Sequence, residues 1–487
     1  MNLAQALRLS DAPCLAFVGA GGKTTALFQL ARELPPPVIV TATTHLHVDQ
    51  VKRADAHWIG ETCADFAGLE ENLRGVMLVT GPLDGDRTTG LNESLLSWLR
   101  AICNSKNLPL LIEADGSRQK PLKAPAEHEP VIPNFVETVV VVAGMSGLGK
   151  PLTDEFVHRQ EIFSRLSGLA LGEMVTPEAL LRVLTHPSGG LKNIPPGARH
   201  VALLNQADTP ELQAQAKLLA EQLLHAYHAV IIASLHPPSA ISHKPSATRH
   251  PPSATRHPQP ATRHPQPATR NPQSAIHAVH EPVAGIILAA GEARRFGQPK
   301  QLLDYRGQPF VHAVAQTALK AGLAPVIVVT GANAEPVEAA LKDLPVQIIR
   351  NVDWQSGQSS SIRAGLIALT PAPSPIKGEE VGAAIFLLAD QPQVTPSVLR
   401  ALVERHSLDL SPIVAPQVQG QRANPVLFDR LTFPDLLALS RDVGGRAIFS
   451  KHPLAYLPWL DALLLLDVDT PDDYQKLDDH EHLKPRA

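Results

Sequence analysis

A proline-rich near-repeat in the middle of the chain limits what the chain can fold into. Residues 245–273 read PSATRHPPSATRHPQPATRHPQPATRNPQ, with almost no apolar side chains. Such a segment buries too little apolar surface to offset the entropy lost on ordering. Histidines recur in it every seven residues, but in polyproline II geometry neighbours lie about 22 Å apart, too far to share a metal. We therefore predict a disordered, semi-stiff linker over 236–282.

Length and composition agree with a domain on each side of this linker. The chain has 487 residues, more than one hydrophobic core usually serves. A net charge of -4 and a pI near 6.6 provide no basic field for nucleic acid or anionic lipid. The three cysteines show no paired spacing, and no apolar run reaches bilayer length. We expect a cytoplasmic protein that acts on small molecules and binds neither nucleic acid nor membrane.

Short apolar runs alternate with helical patterns on both sides of the linker. The predicted buried strands are PCLAFVGA, PPVIVTATT, GVMLVTG, LPLLIEADG, TVVVVAG and HVALLNQAD, followed after the linker by AGIILAAG, APVIVVTG, VQIIR, AAIFLLADQ and PIVAPQ. Near-continuous Val, Ile and Leu runs followed by helices are typical of parallel sheets covered on both faces. We predict an α/β fold with two Rossmann-like or P-loop-type domains, at 1–235 and 283–487. A loop insertion is expected at 370–380.

The second predicted domain opens with a strand followed by a basic glycine loop. Gly291 and Gly297 would let the backbone approach a ligand, and Arg294, Arg295 and Lys300 bring positive charge to the same loop. A nucleoside triphosphate needs such charge when its α-phosphoryl group is attacked and pyrophosphate leaves. A solvated basic turn is the plain alternative.

Further downstream, polar residues follow apolar runs. Gly357 and a serine run that includes Ser359 and Ser361 are expected directly before a helix, where backbone N–H groups and hydroxyls receive phosphate or a base. Asp390 ends one apolar strand, and the run LLLL is expected to form another strand that ends in Asp467 and Asp469. Carboxylates at strand ends are the oxygen ligands that Mg²⁺ prefers.

The motifs LAAGEARRFGQPKQLL, NVDWQSGQSSSIRAGL, LLADQP, RANPVLF, DVGGRAIF and DVDTPDDY occur in this order. Together they resemble the molybdenum cofactor cytidylyltransferases, the MocA-type branch of the MobA-like nucleotidyltransferases, over roughly 283–480. The resemblance implies transfer of CMP from CTP to molybdopterin with release of pyrophosphate. It also implies roles for a set of residues: nucleotide contacts from Leu288, Ala289, Ala290 and Gly291, phosphate contacts from Arg295 and Lys300, and Mg²⁺ ligands Asp390 and Asp469.

Two positions depart from this family's pattern. Ala293 stands where the family often has Ser, and Ala423-Asn424 stands where many members have Gly-His. The preference for CTP over GTP depends on LAAG, since the guanylyltransferase branch usually has LAGG. A sugar or isoprenoid acceptor would use the same chemistry, and so it stays an alternative.

The first predicted domain opens with a second glycine loop, FVGAGGKTT, between a strand and a helical pattern. This context predicts a short P-loop variant in which backbone amides surround phosphate and Lys23 contacts its outer oxygens. The predicted nucleotide contacts in this loop are Gly19, Gly21, Gly22, Lys23, Thr24 and Thr25. Thr24 and Asp115 are the predicted Mg²⁺ ligands, and Glu113 is a second carboxylate at the same strand end.

Two other stretches near the same sheet edge carry polar residues. LLNQAD resembles the guanine-reading motif N-K-x-D, with Asn205 and Asp208 in place and Gln206 instead of Lys, so ATP and GTP both stay open. Thr43, Thr44, His45 and His47 follow the strand VIVTA. Strand-end histidines serve either metal and acid–base chemistry or, more often, packing and hydrogen bonding.

FVGAGGKTT, ATTHL, IEADGSRQKPLKAPAEHEPVIP and HRQEIF together resemble the YqeC family, over about 10–235. That family is described as accessory proteins of selenium-dependent molybdenum hydroxylases. The resemblance implies that both halves serve one pathway, with molybdopterin and an apo-molybdenum hydroxylase as partners. The alternative is a P-loop chaperone or scaffold that delivers the cofactor or selenium, in which the second domain binds without turnover.

Overall fold

The computed structural model describes residues 1–236, 275–292, 298–369 and 381–482, with side chains up to Leu477. Most of the predicted linker, the loop residues 293–297 and the predicted insertion at 370–380 lie outside the described residues. Helices and strands are numbered below in chain order. None of the helices in the described ranges is both long and apolar enough to cross a lipid bilayer.

A mainly parallel sheet with flanking helices forms the N-terminal half. Its strands are β1 (Cys14–Gly19), β2 (Val38–Ala42), β3 (Leu46–His47), β4 (Ala56–Ile59), β5 (Val76–Thr80), β6 (Leu83–Asp84), β7 (Arg87–Thr88), β8 (Leu110–Glu113), β9 (Leu122–Lys123), β10 (Thr138–Gly144), β11 (Val157–His158), β12 (Arg199–Asn205), β13 (Ala229–Ser234) and β14 (Ala275–His280). Its helices are α1 (Leu3–Leu7), α2 (Lys23–Glu33), α3 (Val48–Val51), α4 (Glu93–Lys106), α5 (Gln160–Ser167), α6 (Pro177–Thr185) and α7 (Pro210–Leu223). Within the described residues, the main sheet has the order β14-β13-β12-β10-β1-β8-β2-β5-β4.

Alternate residues of the central strands fill two separate cores. In β1, Ala16 and Val18 pack on one face of the sheet, while Leu15 and Phe17 pack on the other. Each strand pair of the main sheet is parallel except β13 with β14. A sheet covered on both faces places its functional loops at the carboxyl ends of the parallel strands.

The C-terminal half repeats this plan with a more mixed sheet. Its strands are β15 (Val283–Ala289), β16 (Asp304–Tyr305), β17 (Gln308–Pro309), β18 (Val326–Thr330), β19 (Gln347–Arg350), β20 (Ala383–Leu388), β21 (Ile413–Val418), β22 (Gln421–Arg422), β23 (Val426–Asp429) and β24 (Leu454–Pro458). Its helices are α8 (Phe310–Lys320), α9 (Ala334–Ala339), α10 (Gln358–Leu369), α11 (Pro396–Ser407), α12 (Phe433–Leu437) and α13 (Pro471–His482). The order is β19-β18-β15-β20-β23-β21-β22, with β24 beside β21.

The predicted α/β class with mainly parallel sheets is therefore confirmed in both halves. In the C-terminal sheet β15 pairs in parallel with β18 and β20, whereas β23 runs antiparallel between β20 and β21. β13, β23 and β24 were not among the predicted strands. In this half the parallel strands are β19, β18, β15 and β20, and loops at their ends form the clefts of this half that are described below.

One described segment departs from the predicted linker range of 236–282. Residues 275–280 form β14, which pairs antiparallel with β13 and so belongs to the N-terminal sheet. Val279 is buried in the core under that sheet, and Ile276 packs against the same core. The short alternating pattern AIHAVH follows the polar repeat closely and was therefore assigned to the linker. Its pairing partner, β13, is distant in the chain.

Side chains from the two halves meet in a cluster of buried charges. Arg8, which follows α1, forms ion pairs with Glu281 at 2.7 Å and with Asp429 at 2.6 Å. His406 of α11 also contacts Asp429, at 2.7 Å. Burial acts to raise the pKa of Asp429, but the hydrogen bonds from His406 and Arg8 outweigh it and lower that pKa to about 2. The contact between the halves is therefore built from paired charges.

Candidate functional site

A large cleft of the C-terminal half lies at the carboxyl ends of β15 and β20. Its volume is about 800 Å³. Among the predicted nucleotide contacts, Leu288, Ala290, Gly291, Gly357 and Ser361 line it. Ala289 instead points into the core beneath the cleft. The structure thus brings together residues from four separate motifs in one cavity large enough for a nucleotide.

Lys300 faces two carboxylates in this cleft. Its Nζ lies 3.6 Å from Asp390 Oδ2 and 2.5 Å from Asp469 Oδ1. Burial raises the pKa of Asp390, Asp467 and Asp469 raise it further, and Lys300 opposes them. The negative charge collected around Asp390 is thus only partly neutralised by Lys300.

A divalent cation would suit this set of oxygen ligands. In the described part of the chain, no group of three or more His, Cys, Asp or Glu side chains is arranged to hold a metal. Asp390 and Asp469 alone would leave the other coordination positions to phosphate oxygens and water, which is how Mg²⁺ is usually held beside nucleotides. The raised pKa of Asp390 is consistent with a site that lacks one positive charge.

Gln301 supports the loop that follows β15, and it was missed by the sequence argument. Its Nε2 donates to the carbonyl oxygens of Ala289 at 3.3 Å and Gly291 at 2.8 Å. Its Oε1 is buried without a hydrogen-bond partner among the described residues. Gln301 stands next to Lys300 in the quoted motif PKQLL, which was the available signal. Arg295 and Gly297 lie outside the described residues.

The start of α10 differs from its prediction. The serine run was expected before a helix, but it lies inside the first turn of α10. The Ser359 hydroxyl is buried and donates to the Arg441 carbonyl at 2.5 Å, away from the cleft. Asp442 accepts a hydrogen bond from the Gln358 N–H at 3.0 Å. This carboxylate occupies one amide at the start of α10, and the predicted phosphate or base contacts of Gly357 and Ser361, which line the cleft, stay a prediction.

Asp467 and Asp469 come close to Asp390 without the predicted strand. The run LLLL was expected to be a strand, but Ala462–Leu465 forms a 3₁₀ helix. Asp461 caps that turn by accepting from the Leu463 N–H at 3.0 Å. Asp467 then accepts from Gln391 at 2.6 Å, beside Asp390. The apolar run is short, and a cap at its start favours a turn over a strand.

A second, smaller cleft of about 280 Å³ adjoins the first. Asp390, Leu288, Gln358 and Leu388 line both clefts. The other walls come from the motifs RANPVLF and DVGGRAIF, with Arg422, Asn424, Arg446 and Phe449 among their members. Asp390 therefore stands at the boundary of two clefts, an arrangement suited to bringing two substrates together at one carboxylate.

The glycine loop of the N-terminal half, Gly19–Gly22, connects β1 to α2. All three of its glycines have left-handed backbone, with φ of 97° at Gly19, 82° at Gly21 and 110° at Gly22. A Cβ at Gly21 would overlap the backbone of Gly144 on β10. The positions thus require glycine for both conformation and close approach.

The amides of this loop are largely used within the protein. The Gly19 N–H donates to Asp115 at 2.9 Å, and the Ala20 N–H donates to Val142 at 2.8 Å. The Gly21 N–H donates to the Lys120 carbonyl at 3.0 Å. The first-turn amides of α2, including those of Thr24 and Thr25, have no acceptor within the helix and remain the donors available to an anion.

Lys23 is folded back onto the protein. Its side chain is 2% exposed, and its Nζ lies 2.8 Å from the Gly19 carbonyl oxygen and 3.1 Å from Asp115 Oδ1. Asp115 also pairs with Lys123 at 2.8 Å. The Thr24 hydroxyl instead donates to Glu113 at 2.8 Å. The structure therefore places Glu113 against Thr24, while Asp115 neutralises two lysines.

Asn205 joins the end of β12 to the glycine loop. Its Nδ2 donates to the Gly21 carbonyl at 2.8 Å, and its Oδ1 accepts from the Leu235 N–H at 2.8 Å. Asp208 is 3.6 Å from His236, at the surface. Both ends of the Asn205 amide are thus used in shaping the loop.

The predicted polar residues after β2 separate into two groups. Thr43, Thr44 and His45 line a third cleft. His47 instead accepts from the Asp49 N–H at 3.2 Å and caps α3. No role was predicted for Lys123, Glu129 or Arg159, which lie at the same edge of the N-terminal sheet. All three occur in the motifs quoted for the YqeC family.

Comparisons with known proteins identify the families of the two halves. Residues 15–161 match the family described as YqeC protein, and residues 285–456 match the MobA-like NTP transferase domain. An uncharacterized YqeC protein from Escherichia coli is 33% identical over 243 residues, which are 47% of this chain and 90% of that protein. The chain belongs to the YqeC and MobA-like NTP transferase families. Both resemblances found in the sequence are confirmed.

Two further relatives match the MobA-like half. A nicotine blue oxidoreductase from Paenarthrobacter nicotinovorans is 33% identical over 200 residues, covering 39% of this chain and 91% of that protein. The crystal structure of Rv0371c from Mycobacterium tuberculosis is 30% identical and covers 41% of this chain and 98% of that chain, with a TM-score of 0.36. The match of residues 285–456 to the family model makes the C-terminal half a nucleotidyltransferase domain of the MobA-like type.

Proposed function

We propose that the MobA-like half transfers CMP from CTP to the phosphate of molybdopterin, with or without bound molybdenum, and releases pyrophosphate. The observation that carries this proposal is Asp390, which stands with Lys300 where two clefts meet. The larger cleft accommodates the nucleotide, and the smaller one receives the acceptor. The acceptor phosphate oxygen would attack the α-phosphorus of CTP, and the bond from that phosphorus to the pyrophosphate oxygen would break.

Residues of the chain would position the two substrates in different ways. Lys300 would exchange its carboxylate contacts for phosphate oxygens, which places positive charge where the pyrophosphate leaves. Gln301 would hold the loop after β15 in shape through the carbonyls of Ala289 and Gly291. Arg422 and Arg446 on the smaller cleft would attract the acceptor phosphate. Arg295, from the family resemblance, would add a further phosphate contact.

Asp390 and Asp469 would hold Mg²⁺. When bound, the ion would supply charge that stabilises the leaving pyrophosphate. For the chain's own part, Asp390 must be ionised to serve as a ligand, and its raised pKa moves that requirement towards less acidic pH. Asp442 occupies the Gln358 amide at the start of α10, so Lys300 would be the main phosphate contact on this side of the cleft.

For the YqeC half, we propose nucleotide binding at the glycine loop in support of molybdenum hydroxylase maturation. Lys23 and the first-turn amides of α2, with Thr24 and Thr25, would contact the phosphates of ATP or GTP. Thr24 and Asp115 remain the proposed metal contacts, with Glu113 supporting Thr24 through its hydrogen bond. Asn205 fixes the loop, and Asp208 is the remaining candidate for reading the base.

The test is a product assay with the purified full chain. The protein would be incubated with Mg²⁺ and CTP, GTP, ATP or UTP, each with and without molybdopterin. Pyrophosphate release and the mass of the product would be recorded. We expect pyrophosphate and a cytidine dinucleotide only when CTP and molybdopterin are both present. Lys300→Met should abolish both signals, whereas Lys320→Met, a distant lysine on α8, should leave them unchanged.

Other outcomes would identify the alternatives. A guanosine product would identify GTP as the nucleotide substrate. Pyrophosphate release that needs a sugar or isoprenoid would identify that molecule, instead of molybdopterin, as the acceptor. Binding of the cofactor without pyrophosphate under any triphosphate would favour the scaffold that delivers cofactor or selenium. Because one relative is named an oxidoreductase, nicotinamide consumption would be followed in the same samples, and we expect none.

A further inference from the structure

A third cleft, of about 630 Å³, lies beside the glycine loop in the YqeC half. It opens at the carboxyl ends of β2 and β8, the edge where ligands of parallel sheets bind. The proposed nucleotide contacts of the loop do not line it. The cleft is therefore an additional cavity, with a volume in the range of small-molecule sites.

Three arginines and three carboxylates line this cleft, and two of the carboxylates, Glu129 and Asp154, are already paired with Arg159 and Lys120. Arg87 on β7 and Arg118 after β8 both line it and are exposed. Arg118 makes no hydrogen bond or ion pair with any residue that the structure describes, and the Arg87 guanidinium approaches Asp86 only at 3.8 Å. Arg159 also lines the cleft, but Glu129 neutralises it through bonds of 2.6 and 2.9 Å. The positive charge on Arg87 and Arg118 thus remains available to an anion.

A buried hydroxyl adds an independent sign of a ligand. Thr44 lines the cleft, and its Oγ1 is buried without a hydrogen-bond partner among the described residues. A buried polar atom without a partner costs free energy, and such atoms are commonly satisfied by a bound molecule. A ligand that spans from Arg118 to Thr44 would supply the missing partner.

The backbone of the cleft wall is strained. Arg118, Gln119 and Arg159 have positive φ angles of 51°, 61° and 61°. A non-glycine residue is energetically unfavourable in this region, and such residues concentrate at functional sites. The two strained arginines both line the cleft. The fold therefore holds these side chains at the cavity against a local energetic cost.

Alternating charges connect this cleft to the glycine loop. Arg159 binds Glu129, Glu129 binds Lys123 at 2.9 Å, and Lys123 binds Asp115 at 2.8 Å. Asp115 in turn holds Lys23 at 3.1 Å. A group in the cleft and a phosphate at the loop would thus lie at opposite ends of one buried chain of ion pairs.

We propose that this cleft binds a second substrate of the YqeC half, a small molecule that carries a phosphate or another doubly charged anionic group. Arg87 and Arg118 bind the anion, and Thr44 donates a hydrogen bond to the ligand. The assignment of this molecule as a partner of the nucleotide rests on the proposed function of the glycine loop. The anion site itself depends only on the cleft.

The test uses radiolabelled pyrophosphate as the probe and the full chain as the receptor. Lys23→Met and Lys300→Met are combined first, so that the two glycine-loop sites no longer hold phosphate. Equilibrium dialysis then measures pyrophosphate binding by this double variant. Arg118→Gln and, separately, Arg87→Gln are added, and Arg165→Gln on the exposed face of α5 is the matched control. Malonate competition distinguishes a dicarboxylate from a phosphate ligand.

We expect the double variant to have a pyrophosphate site that Arg118→Gln or Arg87→Gln weakens at least fivefold and Arg165→Gln leaves unchanged. Pyrophosphate bound at the proposed acceptor site is recognised separately, because Arg446→Gln weakens it and the cleft variants do not. Stronger competition by malonate than by phosphate would assign a dicarboxylate as the anion. Absence of binding in the double variant, or equal binding by all three arginine variants, would overturn the proposal. Nucleotide binding by chains with an intact Lys23 is measured separately, so failure of the glycine-loop proposal is distinguishable. Thermal melts confirm that each variant is folded.

Discussion

The two glycine loops hold their lysines in different states. Lys23 is 2% exposed and is bound to the Gly19 carbonyl and Asp115. Lys300 is 12% exposed, and its partners Asp390 and Asp469 are 35% and 53% exposed at the wall of an open cleft. Both lysines follow a parallel strand and a glycine turn, yet only Lys300 faces a cavity large enough for a nucleotide in this conformation.

The difference shows that residues outside a loop determine whether its cation is available. In the YqeC half, Asp115 collects two lysines, so a phosphate must displace a buried carboxylate before it reaches Lys23. In the MobA-like half, carboxylates surround one lysine, and the excess negative charge is suited to an added cation. We expect substitutions at the buried ion pairs to have the main effects in the YqeC half. In the MobA-like half we expect the main effects from substitutions at the exposed carboxylates.

The largest expected effect is on turnover in the MobA-like half. Asp390→Asn keeps the size of the side chain but removes an anionic ligand, so pyrophosphate release should fall on the order of 100-fold or more. CTP affinity should change much less, because the ion's charge matters most as pyrophosphate leaves. The measurement is steady-state pyrophosphate release beside a nucleotide-binding titration.

The melting temperature distinguishes a catalytic role of Asp390 from a role as a helix cap. Because the pKa of Asp390 is raised, its charged form is disfavoured in the folded state, and this penalty appears as pH rises through that pKa. Asp390→Asn should therefore melt no lower than the parent at pH 7. Asp472→Asn, at an exposed position of α13, is the matched control. A folded Asp390→Asn protein with unchanged turnover would remove Asp390 from the catalytic assignment.

The next effect is on the stability of the YqeC half. Burial acts to raise the pKa of Glu129, but Arg159 and Lys123 outweigh it and lower that pKa to about 2. Glu129→Gln should therefore cost about 2 kcal/mol at pH 7, the scale of a hydrogen bond to a charged group. This loss should shrink as pH falls from the ordinary glutamate range near 4.5 towards about 2. Urea unfolding across that pH range measures it.

Glu127→Gln is the matched control, because the Glu127 side chain is exposed. It should leave the free energy of unfolding nearly unchanged at every pH. Equal free energies of unfolding for the two variants at pH 7 would contradict a stabilising role for the chain of ion pairs. The contrast between the two halves would then be smaller.

Most of the central strands and the loops that follow them were predictable from the sequence. Near-continuous apolar runs such as AGIILAAG identify buried parallel strands, and ligand loops then follow their carboxyl ends. Lys300 and Asp390 were placed together on this basis, and the structure brings them within 3.6 Å. The families were predictable because several quoted motifs occur in one order along each half.

Partners that are distant in the chain were not predictable. Asp442 caps α10 across 84 positions, and Glu129 accepts from Arg159 across 30, so local patterns contain no sign of either contact. The buried state of Lys23 depends on Asp115, 92 positions away. The run LLLL has the composition of a strand, but Asp461 caps its start and the segment forms a 3₁₀ helix.

A smaller effect is expected from Lys23→Met. Loss of the cation should weaken ATP or GTP binding by the YqeC half at least tenfold, about 1.4 kcal/mol, while CTP transfer by the other half persists. Lys300→Met should give the reverse pattern. Calorimetric titration with ATP and GTP, followed by the pyrophosphate assay, measures both. If the parent protein binds neither nucleotide at this loop, the comparison between two phosphate sites fails.

The smallest effects on turnover and stability are expected when the two halves are produced as separate fragments. These fragments test whether each half needs the other to fold and function. A fragment of 283–487 contains every residue assigned to the transfer site, so its turnover should stay within about twofold of the full chain. It loses Arg8, but His406 still contacts Asp429. A folded fragment without turnover would contradict independent catalysis by this half.

The YqeC half should be less independent, because β14 lies beyond the linker. A fragment ending at 235 lacks this strand and leaves β13 as an open edge, and Val279 no longer covers the core. A fragment of 1–282 restores β14 and should melt a few degrees higher. Val279→Asp in the longer fragment is the control, since it keeps the chain length but places a charge at the buried position. Equal melting temperatures of 1–235 and 1–282 would show that β14 adds nothing to this sheet, and the two halves would then be equally self-contained.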